Sequence, residues 1–198
     1  MAARRLVVAT RNEHKLAELS EILTGYELVP LPAEVELPPE DADDFAGNAL
    51  IKARTAREAT GEAAIADDSG IAAAALAGAP GPRSARYAGE DATDEQNLAL
   101  LLSRLEGEGD RAVAYVCALA FVDATGAETV FEGRCEGTLA HDPRGSGGFG
   151  YDQAFIPDDT GPSDVRTMAE LDPAEKHAIS HRGRAARKLA RHLGEQGS

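Results

Sequence analysis

The sequence predicts an α/β fold in which helices flank a mixed β-sheet, and two observations support that class. Short apolar runs alternate with segments whose apolar residues recur at helical spacing, which is typical of α/β proteins. Two long strand-like runs, at 111–123 and 127–139, then follow each other directly. Such a hairpin adds antiparallel neighbours, so we expect a mixed sheet. The 198 residues suit one domain whose core is large enough to need no disulfide.

The first sixty residues alternate strands with helices. Residues 5–10 form a short run with β-branched side chains, as expected for a buried strand, and Asn12 can cap the helix that follows. Residues 26–31 resemble a second strand, and residues 44–59 a second helix with an apolar stripe. The segment between these two elements, PAEVELPPEDADD, has three prolines and many acids, so we predict a loop there.

The remaining elements follow the same reasoning. The segment EAAIADDSGIAAAAL predicts a strand broken by a turn at 67–70, because Asp, Ser and Gly are turn residues. A third helix starts at Thr93 or Asp94 and places four leucines on one side. After the hairpin, YDQAFIP at 151–157 alternates and stops at proline, which indicates a short strand. A final helix covers about 181–194, so the predicted order is β-α-β-α-β-β-α-β-β-β-α.

Composition bears on function, location and redox state. The net charge of −14 repels a phosphate backbone, so broad nucleic-acid binding is not expected. No apolar run approaches the roughly 18 residues of a membrane span. The N-terminal apolar run is too short for a signal peptide, so the expected location is the cytoplasm. If residue 124 pairs with 127, Cys117 and Cys135 lie on opposite faces of the hairpin, and no disulfide is expected.

A glycine-rich loop, RGSGGFGYD at 144–152, matches the spacing G-x-G-x-x-G of dinucleotide-binding turns. That function requires a helix directly after the loop, because the helix N-terminus receives the pyrophosphate. A strand is predicted there instead, so NAD binding is disfavoured. A phosphate-binding P-loop is excluded because no G-K-[ST] occurs in the chain. A plain glycine turn therefore stays open beside some other ligand-binding role.

Four short motifs combine small, charged and glycine residues: ATRNEHK at 9–15, ADDSG at 66–70, GGFGYD at 147–152 and EKHAISHRG at 175–183. The first lies where a strand becomes a helix, and such an end suits a phosphate. The adjacent carboxylates of the second can hold Mg²⁺ or activate water. Taken singly, the first and last motifs are also consistent with capped helices, the second with an Asp-rich turn and the third with a plain glycine turn. Of only four lysines, Lys15 and Lys176 fall on these motifs.

Together and in this order, the motifs resemble the inosine/xanthosine triphosphate pyrophosphatases, which remove non-standard purine nucleoside triphosphates from the nucleotide pool. The resemblance spans nearly the whole chain, through VVATRNEHKLAEL, FAGNALIKA, IADDSGI, GAPGPRSARYAGEDATD, GGFGYDQAFIP, TMAEL and EKHAISHRG. It implies an elongated mixed sheet and an active-site cleft between two lobes of one domain, residues 1–198. It also implies a homodimer and Mg²⁺-dependent hydrolysis of ITP, dITP or XTP to the nucleoside monophosphate and pyrophosphate.

The resemblance further implies roles for individual residues. Asp68 would be the general base on water, Lys52 a second catalytic residue, and Glu40 with Asp68 would hold Mg²⁺. The triphosphate would be bound, together with Lys52, by Thr10, Arg11, Asn12, Glu13, His14, Lys15 and Ser69. The nucleoside pocket would consist of Phe149, Gly150, Tyr151, Asp152, Lys176, His181 and Arg182. In that pocket Phe149 would stack on the purine, and the Arg182 donors would favour a 6-oxo group.

Three positions depart from the pattern of the resembled family. Arg11 stands where glycine is usual, and its side chain either lies outside the site or adds charge toward phosphate. Gly47 stands where an acid often precedes the Asn of NALIKA, so Glu40 and Asp68 would carry more of the metal binding. Gln153 replaces a usual proline after FGYD, which is expected to affect only the stiffness of the turn.

Two other functions stay open beside this one. The first is a pyrophosphatase for modified pyrimidine nucleotides on a related fold. The second is a nucleotide-binding sensor that holds its ligand without hydrolysis. The presence of both Asp68 and Glu40 argues against a sensor, because a pure binding protein needs neither a base nor a second metal ligand.

Overall fold

The computed structural model describes residues 4–195 and contains a six-stranded sheet in the order β2-β1-β3-β4-β5-β6. The strands are β1 Arg4–Val8, β2 Tyr26–Pro30, β3 Ala64–Ala73, β4 Ala112–Val122, β5 Glu128–Leu139 and β6 Phe155–Pro157. Strand β1 pairs in parallel with both β2 and β3, whereas β5 and β6 are antiparallel. The predicted mixed sheet is therefore confirmed.

Five α-helices accompany the sheet in the described part of the chain. They are α1 Glu13–Ile22, α2 Phe45–Thr60, α3 Asp94–Arg104, α4 Pro173–Ile179 and α5 His181–Glu195. The predicted caps are confirmed: the Asn12 side chain accepts hydrogen bonds at the start of α1, and Thr93 forms a capping box with Gln96 at the start of α3. Between residues 4 and 195, no helix has the length and apolar character needed to cross a membrane.

Strand β3 runs unbroken from Ala64 to Ala73, so the turn predicted at 67–70 is wrong. The local composition favoured a turn because aspartate is depleted in strands. Tertiary contacts override that preference, since each of the two aspartates finds cationic partners within the fold. Because successive side chains in a strand point to opposite faces, Asp67 and Asp68 face opposite sides of the sheet.

The hairpin between β4 and β5 is shifted by one residue from the predicted register. Asp123 donates its backbone N–H to the Ala127 carbonyl at 2.9 Å, and the Asp123 carboxylate accepts from the N–H groups of Thr125 and Ala127. Residue 117 therefore lies opposite 133, and Cys135 shares the face of Cys117. The prediction of opposite faces is wrong, whereas the prediction that both cysteines are free is confirmed.

The strand predicted at 151–157 is shorter than expected. Residues 151–154 form turns, in which the Tyr151 carbonyl accepts from the N–H groups of Ala154 and Phe155. Only Phe155–Pro157 pairs with β5. No helix follows the glycine-rich loop directly, which confirms the observation that disfavoured a dinucleotide-binding turn.

Two compact units make up the described residues. The first takes in the chain up to Asp68, Cys117–Gly133 and the chain from Arg182 onward. The second takes in Ser69–Val116 and Arg134–His181. The predicted organisation as one domain with two lobes stays a prediction.

Alternation along the strands divides the core of the first unit into two apolar layers. Odd-numbered residues of β3 and β4 join the layer that contains α1 and α5, with Leu19, Ile65 and Leu189 buried in it. Even-numbered residues join the layer that contains α2, where Ala53 and Ala66 are buried. The second unit has a core of its own, which includes Leu98, Leu101, Tyr115, Phe155 and Met168.

Candidate functional site

In the first unit, the turn between β1 and α1 is organised by its own side chains. Thr10 Oγ1 accepts from the Asn12 N–H at 3.1 Å. Asn12 Oδ1 in turn accepts from the N–H groups of His14 at 3.0 Å and Lys15 at 3.2 Å. Glu13 and His14 are exposed, and the Lys15 side chain is only 16% exposed. The predicted phosphate-binding turn is thus a capped helix start that carries one largely buried cation.

Asp67 is buried in the layer that contains α1 and α5, where it binds two cations. Its Oδ2 lies 3.1 Å from Lys15 Nζ, and it accepts from Arg182 Nε at 3.1 Å and Nη2 at 3.0 Å. Arg182 also donates to Glu18. Burial opposes ionisation of Asp67, but the attraction of Lys15 and Arg182 exceeds that penalty and holds the pKa of Asp67 well below its usual range.

Arg182 therefore lies in a buried ion cluster of the first unit. Its side chain is 2% exposed, and its pKa is raised because the charges of Asp67 and Glu18 outweigh burial. The resemblance had placed Arg182 in the nucleoside pocket. That role stays a prediction, and in the structure the guanidinium serves as counter-ion to Asp67 and Glu18.

Asp68 faces the other side of the sheet, toward α2. Its Oδ2 accepts from Asn48 Nδ2 at 3.0 Å, and its Oδ1 lies 3.9 Å from Lys52 Nζ. The Lys52 ammonium also donates to Glu40. Burial raises the pKa of Asp68 against the attraction of Lys52, and the Glu40 charge adds to the rise.

The Lys52 ammonium is buried yet stays charged. Burial lowers its pKa, but the attraction of Asp67, Glu40 and Asp68 is larger, so the net pKa is raised. Asn48 and Lys52 lie one helical turn apart on α2, which brings both side chains to the same face. The helix thus supplies a neutral donor and a cation to one carboxylate, that of Asp68.

The donor set around Lys52 fits a hard divalent cation. Two carboxylates, those of Glu40 and Asp68, face the same ammonium group. Mg²⁺ is held in proteins by one or two carboxylates, with substrate phosphates and water as its other ligands. Within residues 4–195 no group of three or more His, Cys, Asp or Glu side chains is placed to hold a metal.

Asn48 is a site residue that the sequence reasoning missed. Besides binding Asp68, its Oδ1 accepts from the Ala42 N–H at 2.9 Å, so one amide joins α2, β3 and the preceding loop. The structure also shows why the neighbouring position 47 is a glycine here and not the acid that is common in the family. A Cβ at Gly47 would lie 2.7 Å from the Ala42 Cβ, so an acid at this position would require a different loop path.

In the second unit, a buried carboxylate organises the residues assigned to the nucleoside pocket. Asp152 Oδ1 accepts from the Tyr115 hydroxyl at 3.0 Å. Asp152 Oδ2 accepts from the Phe149 N–H at 3.0 Å and from Lys176 Nζ at 2.9 Å. Lys176 Nζ also lies 5.0 Å from the centre of the Phe149 ring, within range of a cation–π interaction. The Asp152 carboxylate therefore links Tyr115, the Phe149 backbone and Lys176 through hydrogen bonds.

Tyr115 connects this carboxylate to a further predicted residue, His181. The two rings stack with centroids 4.7 Å apart and planes at 11°. Burial raises the pKa of Tyr115 well above its usual value, and the charge of Asp152 adds to the rise, so its hydroxyl stays a donor. This role of Tyr115 could not be predicted from the sequence, because a tyrosine within an apolar strand is normally a core residue.

The glycine-rich loop is folded tightly onto neighbouring segments of the second unit. A Cβ at Gly148, where φ is +72°, would lie 2.1 Å from Asp152 Oδ2. A Cβ at Gly145 would lie 2.7 Å from the Ala169 carbonyl, and Gly147 donates its N–H to that same carbonyl at 3.0 Å. Glycine is needed here because the backbone approaches a carboxylate and another chain segment too closely for a side chain.

Two other predicted binding residues, Gly150 and Tyr151, form hydrogen bonds in the second unit. Gly150 donates its N–H to Asp94 at 2.7 Å, and the Tyr151 hydroxyl donates to the Ser84 carbonyl at 2.7 Å. Ser69 follows Asp68 along β3 and is half-buried. In the first unit the structure therefore brings together Lys52, Glu40 and Asp68, whereas Lys15 lies with Asp67 on the other side of the sheet. In the second it brings together Phe149, Asp152, Lys176 and His181.

Comparison with known proteins identifies the family. The sequence model of the Ham1 family matches residues 6–192. This chain belongs to the Ham1 family. Relatives named dITP/XTP pyrophosphatase include one from Mycolicibacterium paratuberculosis, which is 51% identical over 193 residues, and the match covers 93% of each chain. Another, from Geobacter sulfurreducens, is 47% identical over 199 residues and covers 98% of each chain. The family resemblance of the motifs is thereby confirmed.

Solved structures agree with this assignment. A HAM1 protein from Coxiella burnetii has a TM-score of 0.88 and 41% identity, covering 97% of this chain and 99% of its own. A nucleoside-triphosphatase / dITP/XTP pyrophosphatase from Mycobacterium abscessus has a TM-score of 0.75 and 48% identity, covering 93% and 98%. The predicted fold, a mixed sheet flanked by helices, is the fold that Ham1 proteins share.

Proposed function

We propose that this Ham1-family protein hydrolyses the non-standard purine nucleotides ITP, dITP and XTP between their α and β phosphates. The chain is a nucleoside triphosphate pyrophosphatase, and its products are the nucleoside monophosphate and pyrophosphate. Relatives named dITP/XTP pyrophosphatase, at 51% and 47% identity, support the substrate class. The observation that carries the proposal is the convergence of Asp68 and Glu40 on the single ammonium of Lys52.

Asp68 acts as the proton acceptor for the attacking water. Burial raises its pKa, so its carboxylate is a stronger base than an exposed aspartate would be. Asn48 donates to Oδ2 and fixes the orientation of the carboxylate. Asp68 and Glu40 hold Mg²⁺, whose chemistry when bound is to neutralise charge on the phosphate oxygens.

Lysine side chains neutralise the remaining charge of the triphosphate. Lys52 stays protonated because three carboxylates raise its pKa against burial. Lys15, at the start of α1, binds the triphosphate together with the turn that begins at Thr10 and with Ser69. Such catalysis relies on positioning and on electrostatic stabilisation more than on covalent protein chemistry.

The nucleoside is bound by the cluster around Asp152. Phe149 stacks on the purine, and Lys176 is held beside its ring by the Asp152 carboxylate. His181, stacked on Tyr115, presents its ring from a fixed position. Arg182 takes part in base recognition if its guanidinium exchanges a contact with Asp67 or Glu18 for one with the base.

A substrate panel with pyrophosphate detection tests the function. We expect kcat/KM for ITP and XTP to exceed that for ATP and GTP by about 100-fold or more, as polar recognition of a base allows. Equal rates on all four would contradict the specificity. Turnover of dUTP, dTTP or 5-methyl-UTP in place of ITP would favour the pyrimidine alternative, and tight ITP binding without pyrophosphate would favour a sensor.

Replacing the base tests the mechanism. Asp68→Asn keeps the shape of the side chain but removes the proton acceptor, so kcat is expected to fall by about 10²–10⁴-fold. Circular dichroism should show an unchanged fold. Glu36→Gln, which alters an exposed acid of the loop that carries Glu40, is the matched control and should keep its activity. Near-normal kcat in Asp68→Asn would refute the assignment.

A homodimer belongs to the same proposal, because the family resemblance implies it. Light scattering on the purified protein would measure the mass in solution. A mass of twice 20.7 kDa supports the dimer, and a mass of 20.7 kDa contradicts it.

A further inference from the structure

The segment that joins β2 to α2, residues 31–44, is here called the acidic loop, and it carries Glu40. It contains no helix or strand. At its far end the Ala42 N–H donates to Asn48 Oδ1 at 2.9 Å, which ties the loop to α2. Two hydrogen bonds lie near its start, from the Leu31 N–H to the Val8 carbonyl and from the Val35 N–H to the Pro32 carbonyl. Those bonds alone leave the path between Val35 and Glu40 weakly determined.

Arg11 supplies further contacts at the start of this loop. Its Nη1 donates to the Leu31 carbonyl at 2.8 Å. Its Nη2 donates to the carbonyls of Pro32 at 2.8 Å and Val35 at 2.6 Å. A planar guanidinium is suited to this arrangement because its donors point outward in a fixed fork, whereas an ammonium offers a single point of charge. The guanidinium thus binds three carbonyls of the acidic loop.

The connection from these carbonyls to Glu40 is stiff. Val35 and Leu37 are half-buried and pack against the apolar layer of α2. Pro38 and Pro39 follow, and each proline ring fixes the backbone angle φ. Only Glu40 and Asp41 then separate this run from Ala42, which is tied to Asn48. The position of the loop start is therefore transmitted to Glu40 through a short segment with few free torsions.

We propose that Arg11 is a positioning residue, which holds the start of the acidic loop and so places Glu40 beside Asp68. The inference rests on the proposed function only for the role of Glu40. Arg11 stands where the family usually has glycine, and its side chain was expected either to lie outside the site or to add charge toward phosphate. The proposal favours the first, with the side chain in contact with protein. Three of the five guanidinium N–H donors are directed at the loop carbonyls, at 2.6–2.8 Å, so the described contacts of Arg11 are with protein.

Amide hydrogen exchange without nucleotide or metal tests the contact directly. In Arg11→Ala, and also in Arg11→Lys, the amides of Leu31 and Val35 should exchange about tenfold faster than in the unaltered chain, because local opening loses two or more hydrogen bonds. Arg5→Ala is the matched control, since Arg5 lies on β1, just before the turn that carries Arg11, and its side chain forms an exposed ion pair with Glu62. Unchanged exchange in both Arg11 variants would overturn the inference.

Kinetics then separate positioning of Glu40 from phosphate binding. We expect both Arg11 variants to need about three- to tenfold more Mg²⁺ for half-maximal rate, while KM for ITP at saturating Mg²⁺ changes by less than about twofold. A raised KM that lysine restores would mean that Arg11 binds phosphate, and this would overturn the proposal. Faster exchange with an unchanged Mg²⁺ requirement would also overturn it, because the loop would then be held without placing Glu40. If the unaltered chain released no pyrophosphate, the proposed function would fail while the exchange result still decided the loop contact.

Discussion

Two buried aspartates, one in each unit, show two different uses of a carboxylate. Asp67 in the first unit binds two cations, Lys15 and Arg182. Asp152 in the second binds one cation, Lys176, together with a tyrosine hydroxyl and a backbone N–H. Both are almost fully buried, with exposures of 1% and 4%, so burial does not distinguish them.

The partners explain the difference between the two aspartates. Asp67 mainly balances charge, because without it the buried Lys15 would lose this carboxylate and Arg182 would keep only the one of Glu18. Asp152 mainly sets geometry, because its oxygens hold a loop backbone, a lysine and a tyrosine in fixed positions. Replacing Asp67 should therefore mainly reduce the stability of the fold, whereas replacing Asp152 should mainly reduce the affinity for substrate.

The largest expected effect follows from removing the first carboxylate. Asp67→Ala leaves the Lys15 and Arg182 charges without their shared partner, so the free energy of unfolding should fall by about 3–5 kcal/mol. Urea unfolding followed by circular dichroism measures it. Glu62→Ala, which breaks only the exposed pair with Arg5, should change stability by less than about 1 kcal/mol. An equal loss of unfolding free energy in the two variants would contradict the charge-balancing role of Asp67.

An intermediate effect is expected at the second carboxylate. Asp152→Asn keeps an oxygen that can accept a hydrogen bond but removes the charge beside Lys176, so the free energy of unfolding should fall by about 1–3 kcal/mol. KM for ITP should rise by a larger factor than kcat falls, because Phe149 and Lys176 are less well placed. Asp158→Asn, at an exposed position, is the control. If Asp152→Asn lost as much stability as Asp67→Ala, the distinction between a charge-balancing Asp67 and a positioning Asp152 would be contradicted.

The smallest expected effect tests the connection through Tyr115. Tyr115→Phe removes the hydrogen bond to Asp152 but keeps the ring that stacks on His181. Stability should fall by about 0.5–1.5 kcal/mol, the typical contribution of one hydrogen bond. Tyr115→Leu removes the stacking as well, and it should raise KM for ITP further. If phenylalanine and leucine raise KM equally, His181 is positioned by other contacts.

The sequence was most informative where local chemistry decides local structure. The caps at Asn12 and Thr93 were predictable, because side-chain oxygens at helix starts satisfy nearby N–H groups whatever the rest of the fold does. The absence of a helix directly after the glycine-rich loop was predictable for a similar reason, since YDQAFIP contains a proline stop. Motifs that combine several such signals also identified the family.

What the sequence could not show depends on contacts between distant segments. Asp67 and Asp68 indicated a turn by composition, and only the cations from other elements permit them inside a strand. The contact between Arg11 and the carbonyls near Val35 joins residues 24 apart along the chain, which no local spacing reveals. Tyr115 has the pattern of a core residue, and its hydrogen bond to Asp152 depends on the folded loop.

The burial of lysines has a consequence for chemical labelling. All four lysines lie in the described part of the chain, and three of them pair with carboxylates, with side chains 16%, 7% and 13% exposed at Lys15, Lys52 and Lys176. Lys188, on α5, is exposed. To an amine-reactive reagent the folded chain therefore presents mainly Lys188 among its side chains, and an unfolded chain presents four. The number of labels per molecule, read by mass spectrometry, would report the folded fraction of a sample.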